Sequence, residues 1–255
     1  MVLELQCVAV LTWIRSRFNA ALKWFAFESW HKDAEKGHVT AQYVQGLLCL
    51  SGKGVPQDYT AAAKWLGMAA KQGDADAQFE LGTLYFDGKG VPQDHAEATK
   101  WLGMAAKQGH AAAQNQLAKV FSEGKHVPHD QVEAANWFHK AADRGHAVAQ
   151  YNLGLLYFNG KGVPQDYSEA ARWYRKAAAQ GLAQAQFQLG ALYFEGMGVP
   201  QDYVQAHMWM NLSASKAVGE DQTELADALG AVAKLMLPAQ IYEAQRMARE
   251  WSPKK

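Results

Sequence analysis

The chain has 255 residues, of which 25 are basic and 25 acidic, so it carries no net charge at neutral pH. That balance excludes the basic footprint of a nucleic-acid binder, and no nucleic acid is expected as a partner. Two cysteines, Cys7 and Cys49, exclude a disulfide framework.

Residues 1–36 show no complete repeat and are expected to form an N-terminal capping helix region. Leu5 to Ile14 is an uncharged run of ten residues, too short to span a bilayer. Glu4 precedes it, and Phe18-Asn19-Ala20 lacks the small outer residue of a signal cleavage site. A cytoplasmic protein is therefore expected, with a periplasmic or secreted one as the alternative. Asn19 is placed as N-cap of a helix reaching Lys36, since Ala26, Ala34 and Gly37 already fall on the later beat. Trp13, Phe18, Trp24, Phe25 and Phe27, interleaved with Arg15, Arg17 and Lys23, are read as core packing in preference to a membrane-surface contact.

From Gly37 the sequence repeats every 36 residues. VPQD stands at Val55, Val91, Val163 and Val199, and VPHD at Val127. Alanine-glutamine starts at Ala41, Ala77, Ala113, Ala149 and Ala185, and tryptophan recurs at Trp65, Trp101, Trp137, Trp173 and Trp209. The copies are read as 37–72, 73–108, 109–144, 145–180 and 181–218. A period of this size means a stacked array of supersecondary units.

Each copy reads as a helical hairpin. In the second, Ala77, Leu81, Leu84 and Tyr85 form one apolar stripe of a first helix. Gly88 ends that helix, and Pro92 bars its continuation. Asp94 opens the second helix as N-cap, and Glu97 is expected to complete a capping box on it. The same device is expected at Asp130 with Glu133, Asp166 with Glu169, and Asp202 with Gln205. The second helix is expected to bury Ala98, Trp101, Leu102, Ala105 and Ala106. Gly46, Gly82, Ala118, Gly154 and Gly190 would let the paired backbones approach. A lone hairpin has apolar surface left over, so stacking neighbours must cover it. Cys49, on the beat of Tyr85, is assigned to the core.

The third copy departs most: Asn115, Lys119 and Ser122 replace apolar or small residues, and His126 replaces the second turn glycine. Residues 219–255 read as C-terminal capping helices and a frayed tail, one helix near Thr223 to Leu237 and another from Pro238. Ile241, Ala244, Ala248 and Trp251 share a face of the latter.

The pattern A-x-x-x-L-G-x-x-Y-x-x-G-x-G-V-P-x-D-x-x-x-A-x-x-W-x-x-x-A-A-x-x-G resembles the Sel-one-like repeat (SLR) family, relatives of the tetratricopeptide repeats, over roughly residues 37–216. The resemblance implies an all-α, right-handed superhelical solenoid of stacked antiparallel helix pairs, with a concave groove lined by first helices. It also implies scaffold or adaptor work through a protein or peptide ligand, with no reaction and no cofactor. Two further roles known in the family stand as alternatives: an exported envelope or host-directed factor, and a hydrolase or antibiotic-binding protein like that claimed for cysteine-rich relatives. Those relatives pair two cysteines in every repeat, which this chain does not.

A second stripe lies opposite the core stripe on the first helices. It comprises Tyr43, Leu47 and Leu50; Phe79, Thr83 and Phe86; Tyr151, Leu155 and Phe158; and Phe187, Ala191 and Phe194. Such rings either dock a partner or pack between neighbouring first helices. Only the third copy is polar there, and Asn115, Lys119 and Asn152 are expected to anchor an acidic group of the partner, as lysine and asparagine do in several tetratricopeptide modules. Catalytic and metal motifs fail: three Ser-x-x-Lys pairs lack their partner motifs, and Glu123, His126 and His129 make an incomplete ligand set. Trp101→Ala or Trp173→Ala is expected to cost about 3–5 kcal/mol in chemical denaturation, and a near-zero cost would show that the tryptophan beat is not buried.

Overall fold

The computed structural model describes residues 30–124, 128–216 and 220–253, and every regular element among them is helical. The first helices of the five copies are α1 (Val39–Ser51), α3 (Ala75–Asp87), α5 (Ala111–Glu123), α7 (Ala147–Asn159) and α9 (Ala183–Glu195). The second helices are α2 (Tyr59–Lys71), α4 (His95–Lys107), α6 (Gln131–Asp143), α8 (Tyr167–Ala179) and α10 (Tyr203–Ala214). Two more helices follow, α11 (Glu220–Ala233) and α12 (Pro238–Glu250). Two compact units result, one ending at Ala113 and the other beginning at Gln114, within α5. In the first unit α1, α2, α3 and α4 each pack on the next. In the second unit the run α6 to α10 does the same, and α10 also carries α11 and α12.

The turn motif acts through backbone bonds. Gly88 adopts φ 68°, a left-handed conformation that glycine enters without a Cβ clash, and its N–H closes α3 on the Leu84 carbonyl. Gly90 sits so close to the preceding copy that a Cβ there would collide with the Tyr59 carbonyl. Gln93 Nε2 then donates to the Phe86 carbonyl at 2.9 Å, and Asp94 accepts from the Ala96 and Glu97 N–H groups. The capping box expected of Glu97 is not formed. Asp94's own N–H donates to the Tyr85 carbonyl at 3.0 Å, so the donor that Glu97 would have served is already used. Glu97 pairs with Lys100 instead, at 2.9 Å. Asp58, Asp130, Asp166 and Asp202 make the same backbone bond, to Cys49, Phe121, Tyr157 and Tyr193.

The third copy keeps this turn by substitution. His129 stands where other copies have glutamine, and Gln131 reaches the equivalent Ser122 carbonyl at 3.2 Å. His126 and residues 1–29, including the expected helix start at Asn19, lie outside the described residues.

Packing follows the expected stripes. Ala77, Leu81 and Leu84 are buried with Ala98, Trp101, Leu102, Ala105 and Ala106, and Cys49 is also buried. A Cβ at Gly82 would stand 2.9 Å from Leu102 Cγ, and one at Gly154 2.6 Å from the Tyr174 ring, so side-chain bulk on the second helix requires its absence on the first.

The alanine-glutamine pair carries a polar clip inside this core. Gln78, 1% exposed, donates to the Ala70 carbonyl of α2 at 3.0 Å. Its Oε1 accepts from Gln108 at 2.8 Å, and Gln108 also donates to the Gly73 carbonyl. Gln42 with Gln72 and Gln150 with Gln180 repeat the arrangement. In the fifth copy Lys216 bonds Gln186 and the Gly181 carbonyl in its place.

At the N-terminal side, a helical segment over residues 30–35 supplies the Ala34 carbonyl to Gln42, as a preceding second helix would. His31 meets Trp65 edge-on at 5.5 Å. At the other end Ala244 of α12 is fully buried, and Trp251 packs edge-on against Trp209 at 6.2 Å. His207 of α10 is buried with its Nδ1 unbonded among the described residues.

Gln78→Met keeps volume but removes the buried bonds to the Ala70 carbonyl and from the Gln108 amide. A loss of about 1–3 kcal/mol is expected in urea denaturation. Burial pushes the His207 imidazole pKa down, so the unfolded chain binds the proton more readily than the folded one. Stability present above about pH 6.5 should therefore fall as pH drops below it. Thermal melts between pH 7 and 5 should show a shallower loss for His207→Leu than for the native chain.

Candidate partner-binding face

The aromatic positions of the first helices are half-buried: Tyr43, Phe79, Phe86, Tyr151, Phe158, Phe187 and Phe194 are neither sealed nor fully open. Several rest on their own hairpin. Phe86 meets His95 at 5.0 Å, Phe158 meets Tyr167 at 5.3 Å, and Phe194 meets Tyr203 at 5.8 Å. Each of these partners is the first residue of the following second helix. Tyr151 lies 5.9 Å from the buried Tyr174 ring, and its hydroxyl is bonded to Gln188 of the next copy. Phe79 stacks on His110 at 4.6 Å. His110 is held in turn: its Nδ1 accepts the Ala113 N–H, and its Nε2 lies 3.2 Å from Asp76 Oδ1. His146 caps α7 in the same way through the Ala149 N–H, so this helix-start beat has a capping role.

The charge of the face differs between the two units. In the first, burial pushes the Tyr43 hydroxyl pKa up, and Asp76, Glu80 and Asp74 add to it. Burial, then Asp76, likewise raises the Glu80 carboxyl. In the second, Asn115 is only 5% exposed, and its Oδ1 accepts from Asn152 Nδ2 at 3.3 Å. Asn152 and Lys119 both line an open cleft of about 420 Å³, floored by Phe138 and Leu156. The expected polar trio is thus brought together, with Asn115 buried and bonding Asn152 while Lys119 and Asn152 face the cleft.

Sequence reasoning missed Asn159 and Lys161 on the same cleft. Lys161 occupies a turn position that is lysine in most copies, so nothing in its identity marks it. Other candidate chemistry is taken up structurally. Ser213 donates to the Ala183 carbonyl at 2.9 Å, and burial pushes the Cys49 thiol pKa up, away from the reactive thiolate. Among the described residues no group of His, Cys, Asp and Glu is placed to hold a metal, and no helix is long and apolar enough to cross a membrane.

Stacked helical hairpins of one length, clipped to each other and presenting braced aromatic rings, define a helical-repeat scaffold. The chain belongs to the Sel1 repeat family, whose profile matches residues 39–74, 75–110, 111–146, 147–182 and 183–218. Proteins of this family are in general non-enzymatic protein-interaction scaffolds. The matched segments start two residues after the copies drawn from the sequence, and both series end at 218. Among solved structures the chain is similar to a protective antigen of uropathogenic Escherichia coli strains displaying an SLR fold, with 36% identity, a TM-score of 0.79, and coverage of 88% of this chain and 48% of that one. A Sel1 repeat protein from Oxalobacter formigenes also has 36% identity, with a TM-score of 0.72 and coverage of 80% and 58%. This chain therefore spans about half the length of these relatives. A comparison with curated proteins finds no match.

Proposed function

We propose that this chain is a scaffold holding a protein or peptide partner in a groove lined by its first helices. The observation that carries the reading is the bracing of the aromatic stripe. Tyr43, Phe79, Phe86, Tyr151, Phe158, Phe187 and Phe194 are half-buried, and most of them have a ring or hydrogen-bond partner behind them. A ring already fixed from behind loses little rotamer freedom when a partner covers its open side. Affinity at protein interfaces concentrates in a few such anchors. Lys119 and Asn152, with Asn115 holding the latter, supply the polar contact between apolar ones, where a charge-assisted bond to an acidic group would orient the partner.

The test is capture from a lysate by the intact chain and by a Phe79→Ala, Tyr151→Ala, Phe187→Ala variant, with circular dichroism confirming that helicity is kept. A partner retained by the intact chain should be lost from the variant, each anchor contributing about tenfold or more. Undiminished capture by the helical variant overturns the proposal.

A further inference from the structure

We infer that the cleft between α5 and α7 takes a peptide segment in which a carboxylate side chain stands beside a bulky apolar one. The carboxylate meets Lys119 and Lys161, and the apolar side chain lies against Leu155 and the cleft floor. This rests on the scaffold reading and adds the chemistry of the partner to it.

The charge in the cleft comes from one departure from the repeat, Lys119, and one turn lysine, Lys161. Lys119 stands where the other copies have Leu47, Thr83, Leu155 and Ala191. Lys161 is ordinary for its turn, and like Lys53, which follows Ser51, it has no acidic residue two positions before it. In the second copy the corresponding Lys89 pairs with Asp87 at 2.8 Å. The residue corresponding to Asp87 in the fourth copy is Asn159, a neutral amide. Neither Lys119 nor Lys161 has a carboxylate within ion-pair distance among the described residues, although both line the same cleft. Glu123, the carboxylate that also lines it, is already engaged in an interaction of its own.

An exposed ion pair contributes little, because water solvates both partners well. Lys119 is half-buried, and Phe138 and Leu156, 3% and 6% exposed, form an apolar base beneath the opening. In that setting an incoming carboxylate meets the Lys119 ammonium in a lower effective dielectric, where the attraction strengthens, and the exposed Lys161 ammonium at the rim. Asn152 is oriented by its bond to Asn115 and keeps a second amide hydrogen for the same anion. The cleft is therefore polar on its rim and apolar on its base, which matches an acidic residue with an apolar neighbour better than either alone.

The test uses the full chain and an array of neutral-background peptides carrying Glu-Leu or Asp-Phe pairs, read by fluorescence polarisation against the matched Gln-Leu and Asn-Phe peptides and against Glu-Ser. The carboxylate–apolar peptides should bind about tenfold or more tightly than their amides, and the preference should weaken with added salt. It should vanish in a Lys119→Met, Lys161→Met variant, which keeps the aliphatic stems, and persist in Lys64→Met, an exposed lysine of the first copy. Equal binding of acid and amide, survival of the preference in the double variant, or no binding by any peptide overturns the inference. If the aromatic triple variant loses a lysate partner that the double lysine variant keeps, this inference fails while the scaffold reading stands.

Discussion

A buried amide with no freedom to choose its partners governs this array. Gln78 lies in a core of alanine and leucine, where an unbonded amide would be costly. Its hydrogen bonds reach the second helix of the copy before and the helix end of its own copy. Hydrophobic contact is tolerant of sliding, because alanine faces look alike at each turn of a helix. The amide is not tolerant, since a shift of one residue would break both bonds. Burial supplies the driving force, and the glutamines supply the register.

Much of the fold was legible from spacing. The apolar stripes, the left-handed Gly88 and the Asp94 cap stand where the beat puts them, whereas the first closing helix, expected near Thr223 to Leu237, runs Glu220–Ala233. Two features were not legible for one physical reason: backbone donors and acceptors are invisible in a sequence. Glu97 three residues after Asp94 is the pattern of a capping box, yet Tyr85's carbonyl had already taken the relevant N–H. Alanine-glutamine was seen to recur, but only coordinates reveal that the partners of Gln78 are the Ala70 carbonyl and the Gln108 amide. The site was legible in part. Aromatic periodicity marks Phe79 and Phe158, whereas Lys161 becomes distinctive only once Asn159 is seen beside the same cleft.

The third copy shows how far one unit can drift while its neighbours stay regular. Gln131 does the work that Gln93 and Gln165 do elsewhere, from two positions further along the chain. Polar residues at Asn115 and Lys119 leave α5 the same length as its counterparts. The third copy thus changes side chains, one of them the buried Asn115, without changing its helix length or its turn. A scaffold can in this way change what it holds without changing how it stands.

The collision that forbids a side chain at Gly90 has an evolutionary reading. Because the turn of one copy nests on the Tyr59 backbone of the copy before, as Gly198 nests on Tyr167, neighbouring units mesh like teeth of a rack. Gain or loss of a whole tooth leaves every remaining mesh intact, whereas a single inserted residue is a dislocation felt on both sides. Lineages carrying such arrays are thus free to lengthen or shorten them in whole units, and point insertions are steered away from the turns.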